Sequence, residues 1–117
     1  MSLTRKARVR PRNAKRRQRE FARCYHSRER VRWVKGLPCL ACGHGPCHNA
    51  HTVTGGMGRK ARYDTVVPLC STHHRRYDEH RAPFDDDAGR DWLKARATEI
   101  EALWQAQSPS VIRPHDA

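Results

Sequence analysis

Two short pairs of metal-binding residues limit what this chain can fold into. The first, in L-P-C-L-A-C-G, is a C-x2-C pair at Cys39 and Cys42. The second, in P-L-C-S-T-H-H, is a C-x2-H pair at Cys70 and His73, and His74 follows at once. Between the pairs lie 27 residues. Three thiolates and one imidazole at that spacing suit a single tetrahedral zinc site. Cys39, Cys42, Cys70 and His73 are therefore expected to hold a structural zinc ion.

The rest of the composition makes such an ion useful. The chain has 117 residues, enough for one domain, and only 37% of them are hydrophobic. Its core must be small, and a metal staple would offset the missing apolar burial. The five cysteines are an odd number, and Cys39, Cys42, Cys47 and Cys70 sit among histidines. That pattern favours zinc in a reducing compartment over a disulfide framework. No apolar run has membrane-spanning length, and the N-terminus lacks the apolar segment of a signal peptide, so a cytoplasmic protein without a membrane partner is expected.

The charge is concentrated at one end. Residues 1–35 hold 14 Lys or Arg against Glu20 and Glu29, a net of +12, while the remainder balances 10 against 10. A segment of that kind calls for a polyanion, DNA foremost; anionic lipid fits less well because no broad apolar face accompanies the charge. Residues 1–19 are too polar to bury surface and are expected to be a disordered arm, with Arg16 and Arg17 as phosphate contacts. A merely solvated tail is the plainer alternative.

The remaining pattern is that of a small α+β domain over residues 20–107. Phe21, Tyr25, Val31 and Val34 recur at helical spacing up to Gly36, predicting one helix from Glu20 to Lys35. Cys24 within it reads as a half-buried thiol. The turn at 43–48 carries His44, Cys47 and His48, which are either further ligands or polar loop residues. N-A-H-T-V-T and Y-D-T-V-V-P-L predict two strands of a hairpin, joined by the glycine-rich loop G-G-M-G-R-K-A-R. C-S-T-H-H-R-R-Y-D-E-H predicts a helix, so the core at about 37–80 is a zinc-stapled ββα unit. Asp85, Asp86 and Asp87 are expected to cap a helix over about 86–107 whose Trp92, Leu93, Ile100, Leu103 and Trp104 join the core. Residues 108–117 are expected to be a disordered tail.

In combination, the C-x2-C pair, the A-H strand, G-G-M-G-R-K and V-P-L-C-S-T-H-H resemble HNH endonucleases. The likeness is greatest to the phage-type branch that includes the recombination-enhancement nucleases, and it covers roughly residues 30–84. It implies a ββα-metal fold in a bacterial or phage-infected cell, carrying a catalytic divalent ion, Mg2+ or Mn2+, beside the structural zinc. It also implies phosphodiester cleavage in DNA, with a helper such as a recombinase conceivable. On that pattern His51 is the candidate general base, its ordinary pKa lying near neutrality, although it could itself be a ligand. His74, Asp78 and His80 are the candidate ligands of the catalytic ion; the family's central asparagine has no match here, Asp64 or Thr65 occupying its neighbourhood, and Asp64 is the candidate supporting residue. Asp78 occupies the position of the family's last histidine, and Ala50 and Thr52 flank His51 where the family often has a second histidine or an acid. Arg59, Lys60 and Arg62 on the glycine-rich loop are expected to position DNA. The competing function is a non-catalytic zinc-stabilised DNA-binding protein, which has no need of His51, His74 and Asp78 or His80.

Overall fold

The computed structural model describes residues 11–54 and 61–107. The centre of the fold is a short hairpin, β1 (Cys47–His51) paired antiparallel with β2 (Val66–Cys70). Two strands alone are marginal in water, so helices must cover them. Val66, Val67, Pro68 and Leu69 are all buried, which requires cover on both faces.

The register says which residues meet which cover. Cys47 pairs with Cys70 and His51 with Val66, so His48, Ala50, Val67 and Leu69 share one face, and Cys47, Asn49 and His51 the other. The first face packs on α3 (Ser71–Asp78) and α4 (Asp87–Gln107), where Ala50, Val67 and Leu69 join Tyr77, Phe84, Leu93 and Ala97 in the core. The second face meets α1 (Pro11–Tyr25) and α2 (Arg28–Lys35): Asn49 Nδ2 donates to the Val31 carbonyl at 3.1 Å.

Several boundaries differ from the sequence expectations. Residues 11–19, expected to be disordered, belong to helix α1, which begins at Pro11, a residue whose fixed φ suits the first helical position. The single helix expected over 20–35 is two. His26 adopts φ 72°, Ser27 N–H bonds back to the Tyr25 carbonyl at 2.9 Å, and Ser27 Oγ caps the new helix by accepting from Arg30 N–H at 3.1 Å. A serine able to satisfy the next helix's first N–H groups ends the previous one. The strands are also shorter than expected. Tyr63–Thr65 form a 3-10 turn, closed by the Thr65 N–H and hydroxyl donating to the Arg62 carbonyl at 3.1 and 2.8 Å, and tied to β1 by the N–H and hydroxyl of Thr52, which donate to the Thr65 carbonyl at 2.9 and 2.7 Å.

Helix α4 starts as expected, with Asp86 Oδ1 accepting from Gly89 N–H at 2.9 Å. Its buried stripe is Leu93, Ala97, Ile100 and Trp104. Trp92 and Leu103, expected in the core, are 44% and 55% exposed, because each stands one residue, about 100°, off that stripe. Gly89 lets the helix approach closely: a Cβ there would sit 2.3 Å from the Pro83 carbonyl oxygen. Farther along, fully buried Arg30 of α2 donates through Nη2 to Glu101 Oε1 at 2.8 Å and lies over the rings of Tyr63 and Trp104. That ion pair fixes α4 against α2. No helix among the described residues is long and apolar enough to cross a membrane.

Candidate metal centre and adjoining cleft

The two knuckle pairs meet. Cys39, Cys42, Cys70 and His73 bring one ligand atom each to within 4.8 Å of one another. Cys42 Sγ is 3.8 Å from Cys70 Sγ, and His73 Nδ1 lies 3.3 Å from Cys70 Sγ and 3.8 Å from Cys39 Sγ. Sulfur and nitrogen ligands sharing one zinc ion at about 2.3 and 2.0–2.1 Å stand roughly 3.6–3.8 Å apart. Donor chemistry and spacing both fit, so this cluster could hold a metal ion such as zinc.

Local backbone builds the cluster. Gly43, at φ 78°, turns the chain so that its N–H reaches the Cys39 carbonyl at 2.7 Å, a conformation disfavoured for residues with a Cβ. Ala41 N–H points at Cys39 Sγ, 3.4 Å away. Burial pushes the Cys39 thiol up, but the backbone N–H groups of Cys70, Ala41 and Cys42 outweigh it and hold the thiol below its ordinary range. Cys47 is different. It is 1% exposed, its S–H points at the His44 carbonyl 3.4 Å away, and burial followed by the neighbouring Cys39, Cys70 and Cys42 charges pushes it up to about 11. Cys47 is a buried core thiol that is not among the four residues whose ligand atoms gather, and Cys24 is likewise buried.

A cleft of about 530 Å³ opens at the far end of the hairpin. It is lined by His51, Asp78 and His80, all three singled out in the sequence, together with Tyr77, Arg90 and Lys94. The ring of His51 is fixed: Nε2 lies 2.8 Å from the Cys24 carbonyl oxygen, and Tyr25 packs edge-on at 5.1 Å. A carbonyl only accepts, so Nε2 carries the proton and Nδ1 the lone pair of the neutral ring. Opposite, the Tyr77 hydroxyl donates to the Thr52 carbonyl at 2.9 Å and ties the last turn of α3 to the end of β1. Burial pushes that phenol up against the pull of Arg90, so it stays a neutral donor. Arg90 lies 4.0 Å over the Tyr77 ring and donates to the Tyr77 carbonyl at 2.9 Å.

His80 reaches the cleft because α3 ends in a left-handed residue. At φ 55°, His80 lets Arg81 N–H bond to the Arg76 carbonyl at 2.8 Å and its own N–H to the Tyr77 carbonyl at 3.3 Å. The helix expected to run through His80 accordingly stops at Asp78.

His74 is placed differently from its expected companions and does not line the cleft. One residue beyond His73 on α3, it directs Nδ1 at His48 Nδ1, 2.8 Å away, while its Nε2 lies 3.7 Å from Asp78 Oδ2. The expected ion set is thus split, with His80 in the cleft, His74 against β1 and Asp78 between them. Asp64 is also off the cleft; it stands in the 3-10 turn at 3.8 Å from Arg62 Nε. Arg59 and Lys60 lie outside the described residues. Arg16 and Arg17 are exposed on α1. Arg90, Lys94 and Tyr77 are cleft residues that the sequence reading did not single out. The first two stand four apart on α4, a spacing common to any solvated helix face, so only the packing of α4 identifies them.

No solved structure matches this chain. A 62-residue stretch is 41% identical to "Uncharacterized protein YdfU" of Escherichia coli (strain K12), covering 50% of this chain and 18% of that relative. The family model described as "Protein of unknown function (DUF968)" matches residues 15–102, a span that includes both the knuckle cluster and the cleft. The chain belongs to the DUF968 family.

Proposed function

We propose that this protein is a metal-dependent DNA endonuclease or nickase of the HNH type. One observation carries the reading: at the opposite end of the hairpin from a cluster suited to structural zinc, a cleft gathers a histidine of fixed tautomer, a carboxylate and two cations. His51 Nδ1 takes a proton from water as the water oxygen bonds to phosphorus and the bond to the leaving oxygen breaks. The Cys24 carbonyl stabilises the imidazolium that results, since it accepts the Nε2 proton throughout. Arg90 and Lys94 hold the scissile phosphate by charge. Asp78, which lines the cleft with His80 and lies 3.7 Å from His74, offers a hard carboxylate ligand of the kind that suits magnesium or manganese. Such an ion supplies neutralisation of the charge that builds on the phosphate and the leaving oxygen.

A second reading has an observation of its own. Helix α1 carries six Lys or Arg against one acid, far more charge than a cleft of this size employs. That suits a non-catalytic zinc-stabilised DNA-binding protein equally well. Cleavage assays on single-stranded, duplex and branched DNA with magnesium or manganese decide between them. Under the enzyme reading, His51→Ala lowers cleavage by about 10²- to 10⁴-fold, the usual contribution of a general base, and keeps DNA binding and zinc, while stability falls by only about 0.5–1.5 kcal/mol for the lost bond to the Cys24 carbonyl. No metal-dependent cleavage by the wild type on any of the three would leave the binding reading in its place.

A further inference from the structure

Outside the knuckle cluster, the described residues bring two further potential metal ligands together, His48 and His74. Their Nδ1 atoms are 2.8 Å apart, with ring centroids at 5.1 Å and planes at 77°. Each stands one residue beyond a member of the framework around the cluster, His48 after Cys47 and His74 after His73. We propose that His48 and His74 form a second cation site, binding one borderline divalent transition ion through the Nδ1 atom of each ring.

Three features support it. Two nitrogens on one ion at about 2.0–2.1 Å lie roughly 2.9–3.4 Å apart, depending on the angle between them, so the rings need open by only a few tenths of an ångström. Asp78 Oδ2 stands 3.7 Å from the other nitrogen of His74, and a carboxylate there favours the N–H at Nε2, turning the Nδ1 lone pair toward His48. Asp78 is then a positioning residue for His74. Lastly, His48 is exposed while His74 is only partly so, which leaves the remaining positions of a two-imidazole site to water or an anionic oxygen.

The assignment deepens the endonuclease reading by giving the expected ion ligand His74, which stands outside the cleft, a ligand partner of its own. It also replaces the ligand that Ala50 cannot supply: His48 lies two residues away on the same face of β1. The ion's role rests on that reading; its binding does not.

The test uses the full chain with the knuckle cluster loaded with zinc, titrated with Ni2+ by calorimetry, and X-ray absorption at the nickel edge. The expected result is one equivalent of nickel in a nitrogen and oxygen shell that includes two imidazoles. His48→Ala and His74→Ala should each weaken binding at least tenfold, and Asp78→Asn by about 10- to 100-fold, with melting of each variant confirming the fold. Absence of a nickel equivalent, or binding indifferent to His48→Ala in a folded variant, overturns the site. DNA cleavage, measured separately, keeps the two readings apart. Nickel bound with no cleavage under any divalent ion retains the site and removes the enzyme. Full cleavage by His48→Ala with nickel binding unchanged retains the enzyme and removes the site.

Discussion

The knuckle cluster and the His51 cleft lie in one small domain but are held together in opposite ways. The cluster takes its four ligands from two tight local motifs, and the chain closes on itself within 4.8 Å. The cleft draws its walls from the end of β1, the end of α3 and the start of α4. No short motif makes it; packing does. The cluster should therefore fail all at once when a ligand is lost, whereas the cleft should weaken in steps as its supporting contacts are removed.

The largest effect tests that contrast within the cysteines. Cys39→Ser or Cys70→Ser should abolish cooperative melting and stoichiometric zinc, since structural zinc contributes about 10–16 kcal/mol in small zinc domains. Cys47→Ala, a buried thiol in the same neighbourhood but outside the ligand set, should keep zinc and lose only about 1–2 kcal/mol of packing. Melting curves with metal analysis separate the two. Equal losses from Cys47→Ala and Cys39→Ser would break the distinction between ligand and core thiol.

The next effect concerns α4, which carries Arg90 and Lys94 to the cleft. Arg30 is wholly buried, and its Nε and Nη1 have no hydrogen-bond partner among the described residues. Glu101 is thus the carboxylate that neutralises it. Glu101→Ala leaves a buried charge unpaired and should cost about 3–5 kcal/mol, while replacing both partners with apolar residues of similar size should cost far less. Denaturant unfolding of the single and double variants measures the difference. A double variant no better than Glu101→Ala would mean that α4 is held chiefly by its apolar stripe.

How much of this was legible beforehand follows the same division. Cys39, Cys42, Cys70 and His73 could be read because tetrahedral zinc imposes spacing rules on sequence, and the ββα order followed from strand and helix periods around them. Asp86 was legible as part of a capping run for the same local reason. The charge of residues 11–19 points to disorder, yet long basic side chains on an uninterrupted helix-forming stretch are compatible with the helix found there. His26 and Ser27 ended one helix and began another through a single hydroxyl bond, which composition does not weigh. Hydrophobicity alone assigns Trp92 and Leu103 to the core, whereas their angular position on the helix decides otherwise. Arg90, Lys94 and the meeting of His48 with His74 depend on how separate elements pack. No local pattern encodes them.

The smallest effect lies in the cleft itself, at the turn that delivers His80. An L-residue at φ 55° is strained by roughly 1–2 kcal/mol relative to glycine, which adopts that conformation without a Cβ clash. Glycine loses more freedom on folding, by about 0.5–1 kcal/mol, so the two effects partly cancel. His80→Gly should therefore leave stability unchanged or raise it by up to about 1 kcal/mol, a rise of a few degrees in melting temperature for a domain of this size. The same variant removes an imidazole from the cleft while keeping the Arg81-to-Arg76 turn bond, so under the endonuclease reading proposed above a loss of cleavage would be chemical and not structural. A fall in melting temperature would show instead that the His80 ring makes a stabilising contact. The end of α3 would then be held by its side chain as well as its backbone, and the cleft would be less dependent on packing from elsewhere than its walls suggest.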